Sequence, residues 1–179
     1  MKQPMKNMMQ KERFDNLYTP EIAIKPLIKH IEFYFGSDIK NNRDGFTFWE
    51  CTDFGDSNIT KMLREKGWDV TGTDITNGYN FLTCDPPEFD FIVTNPPYSL
   101  KDKFLQRCYD LGKPFALLLP LTALEGIKRG NMFRSNGISV IVLDKRIDFT
   151  GKKSNWFNVS WFTWGIRPNN KIIFEQVEK

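Results

Sequence analysis

The stretch Phe89-Asp90-Phe91-Ile92-Val93-Thr94-Asn95-Pro96-Pro97-Tyr98 decides how the rest of the chain is read. The aromatic and β-branched content of Phe89 to Thr94 is that of a strand buried in a parallel sheet. Pro96 and Pro97 stop that strand, because neither can donate to a sheet ladder. They also hold Asn95 extended, since the residue before a proline is pushed out of the helical region. The expected product is a rigid turn at a strand's carboxyl end, where open α/β sheets place their ligands.

The turn carries groups that suit one chemical task. The lone pair of an exocyclic amine on adenine is delocalised into the ring, so the amine is a poor nucleophile. The side-chain oxygen of Asn95 and the carbonyl of Pro96 can each accept one of its two N–H bonds. That draws the nitrogen toward tetrahedral geometry and aims its lone pair at an electrophilic methyl group. Acceptors fixed in place before charge develops lower the barrier. Tyr98 offers a flat face on which the planar group stacks. A plain Pro-Pro turn beside a buried tyrosine is the competing reading.

Asn95-Pro96-Pro97-Tyr98 after a parallel strand resembles the turn of amino-methyltransferases that use S-adenosylmethionine (SAM). The segment from Thr94 to Gly126 is similar to small adenine-N6 methyltransferases of phage and prophage type. The resemblance extends more thinly from about Tyr18 to about Gly165. It implies a Rossmann-like class I SAM-methyltransferase fold, with a mostly parallel seven-stranded sheet, helices on both faces and the last strand antiparallel.

Composition permits this reading without demanding it. A chain of 179 residues is one domain by length, long enough for a real core. Lys plus Arg number 25 against 22 acids, and a net charge of +3 only allows an anionic partner. Three cysteines and one histidine lack metal-ligand spacing, so no metal site is expected, and the cysteines read as reduced thiols of a cytoplasmic protein. No apolar run approaches a membrane span, and the polar start has no signal-peptide core. Residues 1–17, with Lys2, Lys6, Lys11 and Arg13, read as a flexible basic arm, and 18–179 as a single catalytic domain.

From Tyr18 onward the pattern is strand–helix alternation, which means a parallel sheet with helices on both faces. Thr19 as N-cap and Pro20 at the first helical position open a helix with Ile24, Leu27, Ile28, Ile31 and Phe35 on one face. Pro26 should kink that helix or mark its true start, and Gly36 to Gly45 reads as a loop. Phe46 to Cys51 is the first strand, Thr52 to Ser57 a turn, and a helix follows from Asn58. Val70 to Asp74 is the second strand. An acid about 20 residues past such a turn is the dinucleotide-type arrangement.

The turn has one glycine where a pyrophosphate cradle would need several. Asp53 and Asp56 would repel a pyrophosphate but suit the α-ammonium of a methionine moiety, which favours SAM over NAD or ATP. Asp74 would accept hydrogen bonds from ribose hydroxyls. Capping and turn formation alone also account for Thr19, Asp53 and Asp56. The resemblance places the Thr19-Pro20 turn at the methionine carboxylate of SAM, and further cofactor contacts at Tyr18, Glu50, Thr52, Gly55, Ser57 and Ile75, besides Asn95. It puts Asn80 and Phe81 around the adenine ring of the cofactor.

Beyond the Asn95 turn, Ser99 to Asp102 has capping-box spacing and opens a helix that Gly112 ends. Cys84-Asp85-Pro86-Pro87-Glu88 copies the motif imperfectly and reads as a loop. Lys145 to Asn158 interleaves Lys145, Arg146, Lys152 and Lys153 with Phe149, Trp156 and Phe157. Cations among aromatics suit a phosphate backbone and a displaced base. Lys101, Phe149, Lys152, Lys153 and Trp156 join Tyr98 as expected substrate contacts, though the aromatics serve a core equally well. Val159 to Trp164 alternates as a strand, and Lys171 to Phe174 reads as an edge strand.

The expected activity is methyl transfer from SAM to the N6 amine of adenine in nucleic acid, DNA ahead of RNA. The alternatives are an RNA adenine or guanine methyltransferase, a protein glutamine methyltransferase, and a non-catalytic module that kept the fold. With little chain after Trp164 to read bases, sequence specificity would come from loops, from shape or from a protein partner.

Overall fold

The computed structural model describes residues 18–41, 46–55, 57–150, 158–166 and 170–178. Asp56, Lys152, Lys153, Trp156 and the arm 1–17 therefore lie outside the described residues. The strands are β1 (Thr47–Glu50), β2 (Asp69–Gly72), β3 (Phe91–Thr94), β4 (Phe115–Pro120), β5 (Ser139–Leu143), β6 (Val159–Trp164) and β7 (Ile172–Glu175). They form one seven-stranded sheet in the order β2-β1-β3-β4-β6-β5-β7. The helices are α1 (Glu21–Asn41), α2 (Asn58–Glu65), α3 (Lys101–Leu111) and α4 (Ile127–Asn136). The α/β class and the mostly parallel sheet are as the sequence led us to expect.

Strand alternation divides the core in two. Phe48, Phe91, Val93, Leu118 and Trp161 face one side, against Ile24, Leu27 and Ile31 of α1 and Ile59 and Leu63 of α2. Trp49, Ile92, Phe115, Leu117 and Phe162 face the other, against Phe104, Leu105 and Cys108 of α3 and Met132 and Phe133 of α4. Two buried tryptophans find partners for their indole N–H groups, as buried tryptophans must. Trp161 donates to the Ala23 carbonyl at 2.7 Å and pins α1 to the sheet, and Trp49 donates to the Thr73 hydroxyl at 2.8 Å. No helix among the described residues is long and apolar enough to cross a membrane.

Four local expectations need correction. First, the antiparallel strand is β6, not the last one. It lies between β4 and β5 and pairs antiparallel with both, while β7 runs parallel to β5 at the edge. Because β6 runs in reverse, it ends beside the start of β5. Second, α1 starts at Glu21 and continues through Pro26 and Gly36 to Asn41, so the expected loop is partly helix. Phe35 and Ile39 pack on the core from that extension, which outweighs the roughly 1 kcal/mol that a helical glycine costs. Third, no capping box opens α3. Residues Tyr98–Leu100 form a 3-10 turn, and Leu100 takes the cap position with no side-chain cap bond. Fourth, Lys145 and Arg146 are tied down: Lys145 Nζ donates to the Val177 carbonyl and Arg146 Nε to Asn158 Oδ1 at 3.1 Å.

Candidate functional site

The chain leaves β1 for β2 on one side and returns to β3 on the other, so the strand order reverses at β1 and β3. Their carboxyl ends frame the crevice in which such sheets bind ligands. Glu50 ends β1 and Thr94-Asn95 ends β3, and a cleft with about 750 Å³ of empty space, its mouth included, opens between them.

Acids, small polar residues and aromatics together line the cleft. Glu50, Thr52, Ser57 and Asn95 are on its wall, and so are Tyr18 and Thr19. Asp74, Ile75, Tyr79, Asn80 and Phe81 line it as well. Among the described residues no Lys, Arg or His lines it. A cleft with buried acids and no cation favours a positively charged ligand.

Glu50 is the most unusual group there. It is 1% exposed, and burial pushes its pKa up from an ordinary value near 4.5 to about 7, with the charge of Asp53 raising it slightly more. Hydrogen bonds from Thr94 and Thr52 work against that rise. Glu50 Oε1 accepts from the Thr94 hydroxyl at 2.5 Å, the Thr52 N–H at 3.0 Å and the Thr52 hydroxyl at 3.0 Å. Its other oxygen has a single long contact, the Ser57 hydroxyl at 3.5 Å.

Asp53 has a different task from the one its position suggested. Its Oδ1 accepts from the Gly55 and Ser57 N–H groups at 3.1 and 2.8 Å, and its Oδ2 from the Thr60 hydroxyl at 2.6 Å. The carboxylate thus closes the turn and steadies the start of α2, and it does not line the cleft. It packs on Gly72 of β2, where a Cβ would stand 2.6 Å from Asp53 Oδ2. Only glycine allows that approach. Gly55 has φ +147, which strains other residues, and its carbonyl accepts from the Tyr18 hydroxyl at 3.2 Å. Tyr18 also stacks on Phe54, ring centres 4.6 Å apart.

Asp74 caps the turn Ile75–Asn77 and spends one oxygen on the Thr76 N–H and hydroxyl, at 2.8 and 2.7 Å. Asn80 accepts from the Leu82 N–H at 3.1 Å. Phe81 is buried, stacked on Phe104 with centres 4.8 Å apart, and still forms part of the wall. Phe54 and Tyr79, which the sequence reading passed over, also line the cleft and are 37% and 50% exposed. Aromatics left open to solvent beside a turn are the signal that could have found them.

Asn95 stands where Pro96 was expected to hold it, at the end of β3 on the cleft wall. Its Oδ1 atom is buried and has no hydrogen-bond partner among the described residues. Arg107 Nε and Ser160 Oγ are buried and unpaired as well, but of the three residues only Asn95 lines the cleft, where a ligand could supply the partner. Tyr98 is half-buried and packs against both halves of the core. Lys101 folds its ammonium onto the Tyr98 carbonyl at 3.2 Å, and Phe149 is partly buried against the α1 side of the core.

No family model matches the chain, and no curated protein matches it. Solved structures do. The type I restriction-modification methyltransferase subunit from Streptococcus thermophilus matches with TM-score 0.52 and 18% identity, over 89% of this chain and 47% of its own. A protein described as the modification subunit of a type I restriction enzyme from Vibrio vulnificus matches with TM-score 0.51 and 11% identity, over 98% of this chain and 51% of its own. A protein assigned as a class I SAM-dependent methyltransferase from Listeria monocytogenes matches with TM-score 0.50 and 11% identity, over 90% of this chain and 66% of its own. The chain therefore spans about half the length of the first two and less than the whole of the third. At such low identity the likeness speaks for architecture: the chain has the fold of class I SAM-dependent methyltransferases.

Proposed function

We propose that the protein is a SAM-dependent methyltransferase acting on the exocyclic N6 amine of adenine in nucleic acid, DNA ahead of RNA. One observation carries the reading: the buried, unpaired Asn95 Oδ1 on the wall of the cleft. An acceptor held in place without a partner is what a weakly basic amine needs in order to become nucleophilic. With Oδ1 and the Pro96 carbonyl each taking an N–H, the nitrogen lone pair is freed from the ring. Tyr98 stacks the base, which must leave a duplex or arrive single-stranded.

The cleft fits the cofactor by its donor set. When bound, SAM supplies an electrophilic methyl on a positively charged sulfur. Glu50 is the acid for its cationic methionine end, and Thr19, Thr52 and Ser57 supply polar atoms beside it. Asp74 takes the ribose hydroxyls, and Ile75, Asn80 and Phe81 flank the adenine. With Asp53 occupied in closing its turn, Glu50 takes the role that the sequence reading gave to the aspartates.

Two expectations arise directly. Asp74→Ala should weaken SAM binding by about 1–3 kcal/mol, the worth of a hydrogen bond to a charged group. Calorimetry showing unchanged affinity in a folded variant would remove Asp74 from the site. Lys152 and Lys153 contact phosphates in this proposal. Replacing both with alanine should flatten the slope of log K against log salt by about 2, with SAM affinity unaltered. An identical slope would make them ordinary solvated lysines.

The names of two solved neighbours refer to subunits of restriction-modification systems. Our proposal includes a protein partner that supplies sequence specificity. The test of the reading is incubation with methyl-labelled SAM plus DNA, tRNA or protein, followed by nucleoside and amino-acid analysis. N6-methyladenine in DNA is expected. Label in tRNA or in glutamine would move the substrate, and SAM binding without any transfer would end the enzymatic reading.

A further inference from the structure

A chain of hydroxyl groups joins Glu50 to the backbone of Asn95. Thr94 is fully buried, and its hydroxyl lies 2.5 Å from Glu50 Oε1 and 2.6 Å from the Thr52 hydroxyl. The Thr52 hydroxyl in turn lies 3.3 Å from the Asn95 carbonyl oxygen and 3.0 Å from Glu50 Oε1 itself. Each hydroxyl has one hydrogen to give. Oxygen atoms 2.5–2.6 Å apart need a hydrogen between them.

These counts allow two arrangements. With Glu50 ionised, Thr94 donates to the carboxylate and Thr52 donates to Thr94, which leaves the Asn95 carbonyl without the Thr52 hydrogen. With Glu50 protonated, its O–H can donate to Thr94, Thr94 to Thr52, and Thr52 to the Asn95 carbonyl. The proton that distinguishes the two states enters or leaves at Glu50, and the hydroxyls merely turn. Other ionisable groups face the chain: Asp53 acts on Glu50 through charge, Glu50 and the Thr94 hydroxyl both act on the buried Cys51 thiol, which burial keeps protonated, and Asp74, Tyr18 and Tyr79 line the same cleft.

We infer that Thr52, acting with Thr94, is a positioning residue that couples the protonation of Glu50 to the peptide of Asn95. A cationic ligand in the cleft ionises Glu50 and thereby resets the residue that accepts the target amine. The functional half of this inference rests on Asn95 being that acceptor; the coupling itself does not.

The coupling is tested on the protein without ligand, by carbon NMR of the Glu50 carboxyl and the Asn95 carbonyl from pH 5 to 9. In the wild type both signals should titrate with one midpoint. In Thr52→Val the Glu50 midpoint should rise, because a donor to its charged form is gone, and the Asn95 signal should cease to follow it. Thr52→Ser keeps the hydroxyl and should keep the shared midpoint. In Thr94→Val, which serves if Thr52→Val fails to fold, the Glu50 midpoint should rise and the Asn95 signal should move with it through the direct Thr52 contact. A flat Asn95 signal in the wild type overturns the inference, as does an Asn95 signal that still follows Glu50 in Thr52→Val or fails to follow it in Thr94→Val.

Turnover then adds a second reading. Thr52→Val should lower kcat about tenfold, with KM for the nucleic acid little changed and with rescue by Thr52→Ser. Equal kcat in Thr52→Val and wild type would overturn the positioning role. If no substrate is methylated by the wild type, the proposed function fails, and the NMR titration still decides the coupling.

Discussion

Asn95→Ala should lower kcat by about a hundred- to a thousandfold, the usual loss for one preorganised polar group aimed at developing charge. KM for the nucleic acid should barely move, because Tyr98 still stacks the base and the side-chain bond strengthens mainly as the amine pyramidalises. Thermal stability should stay level or rise. The substitution removes a buried oxygen that has no partner, so the fold loses a liability rather than a bond. This combination separates a functional asparagine from a structural one, whose loss would lower stability and activity together. Asn95→Asp keeps an acceptor and should retain more activity than alanine. Wild-type turnover in Asn95→Ala, or equal loss in both variants while they remain folded and bind SAM, would remove Asn95 from the chemistry.

Glu50→Gln should stabilise the ligand-free protein at pH 8 while weakening SAM binding. Glu50 ionises near 4.5 in the unfolded chain and near 7 in the folded one. Between those values the folded state binds the extra proton, so this group makes stability fall as pH rises. From pH 5 to pH 8 the loss amounts to about 2–3 kcal/mol in the wild type. Glutamine cannot ionise and should remove most of that slope, and its oxygen still accepts from Thr94 and Thr52. Urea denaturation at the two pH values measures the difference. The same variant should bind SAM about ten- to a hundredfold less tightly, since a charged acceptor has become neutral. If wild type and Glu50→Gln show parallel stability curves, Glu50 ionises normally. If SAM affinity is unchanged, the acid is not the anchor of the cationic end.

Taken together, the two variants describe a site that holds unfavourable groups in readiness. An unpaired amide oxygen and a buried acid both cost stability in the empty protein. In the proposed function each gains its partner only when ligand is present, which is the common trade between stability and activity.

The sequence by itself determined whatever depends on neighbours along the chain. The end of β3 and the extended Asn95 are consequences of Pro96 and Pro97, whose rings restrict the backbone wherever they stand. The faces of α1 and α2 were legible because apolar spacing dictates which side can be buried. The turn after β1 and the acid Asp74 after β2 placed the cleft, since parallel strands bring their carboxyl ends to one edge.

Only the tertiary structure decided which acid faces the cleft. Asp53 turns inward because Gly72, from another strand, leaves room for it, and Thr60 and two backbone N–H groups bind it there. Glu50 acquires its raised pKa from burial, a property of everything packed around it and of nothing adjacent in sequence. Long-range packing likewise extended α1 through Gly36, and sheet pairing set β6 against its neighbours with β7 beyond. Local propensity is worth about 1 kcal/mol per residue, whereas a buried aromatic or aliphatic side chain is worth about 1.5–3. Where the two conflict, distant contacts prevail, and those are the places at which reading this chain in order fell short.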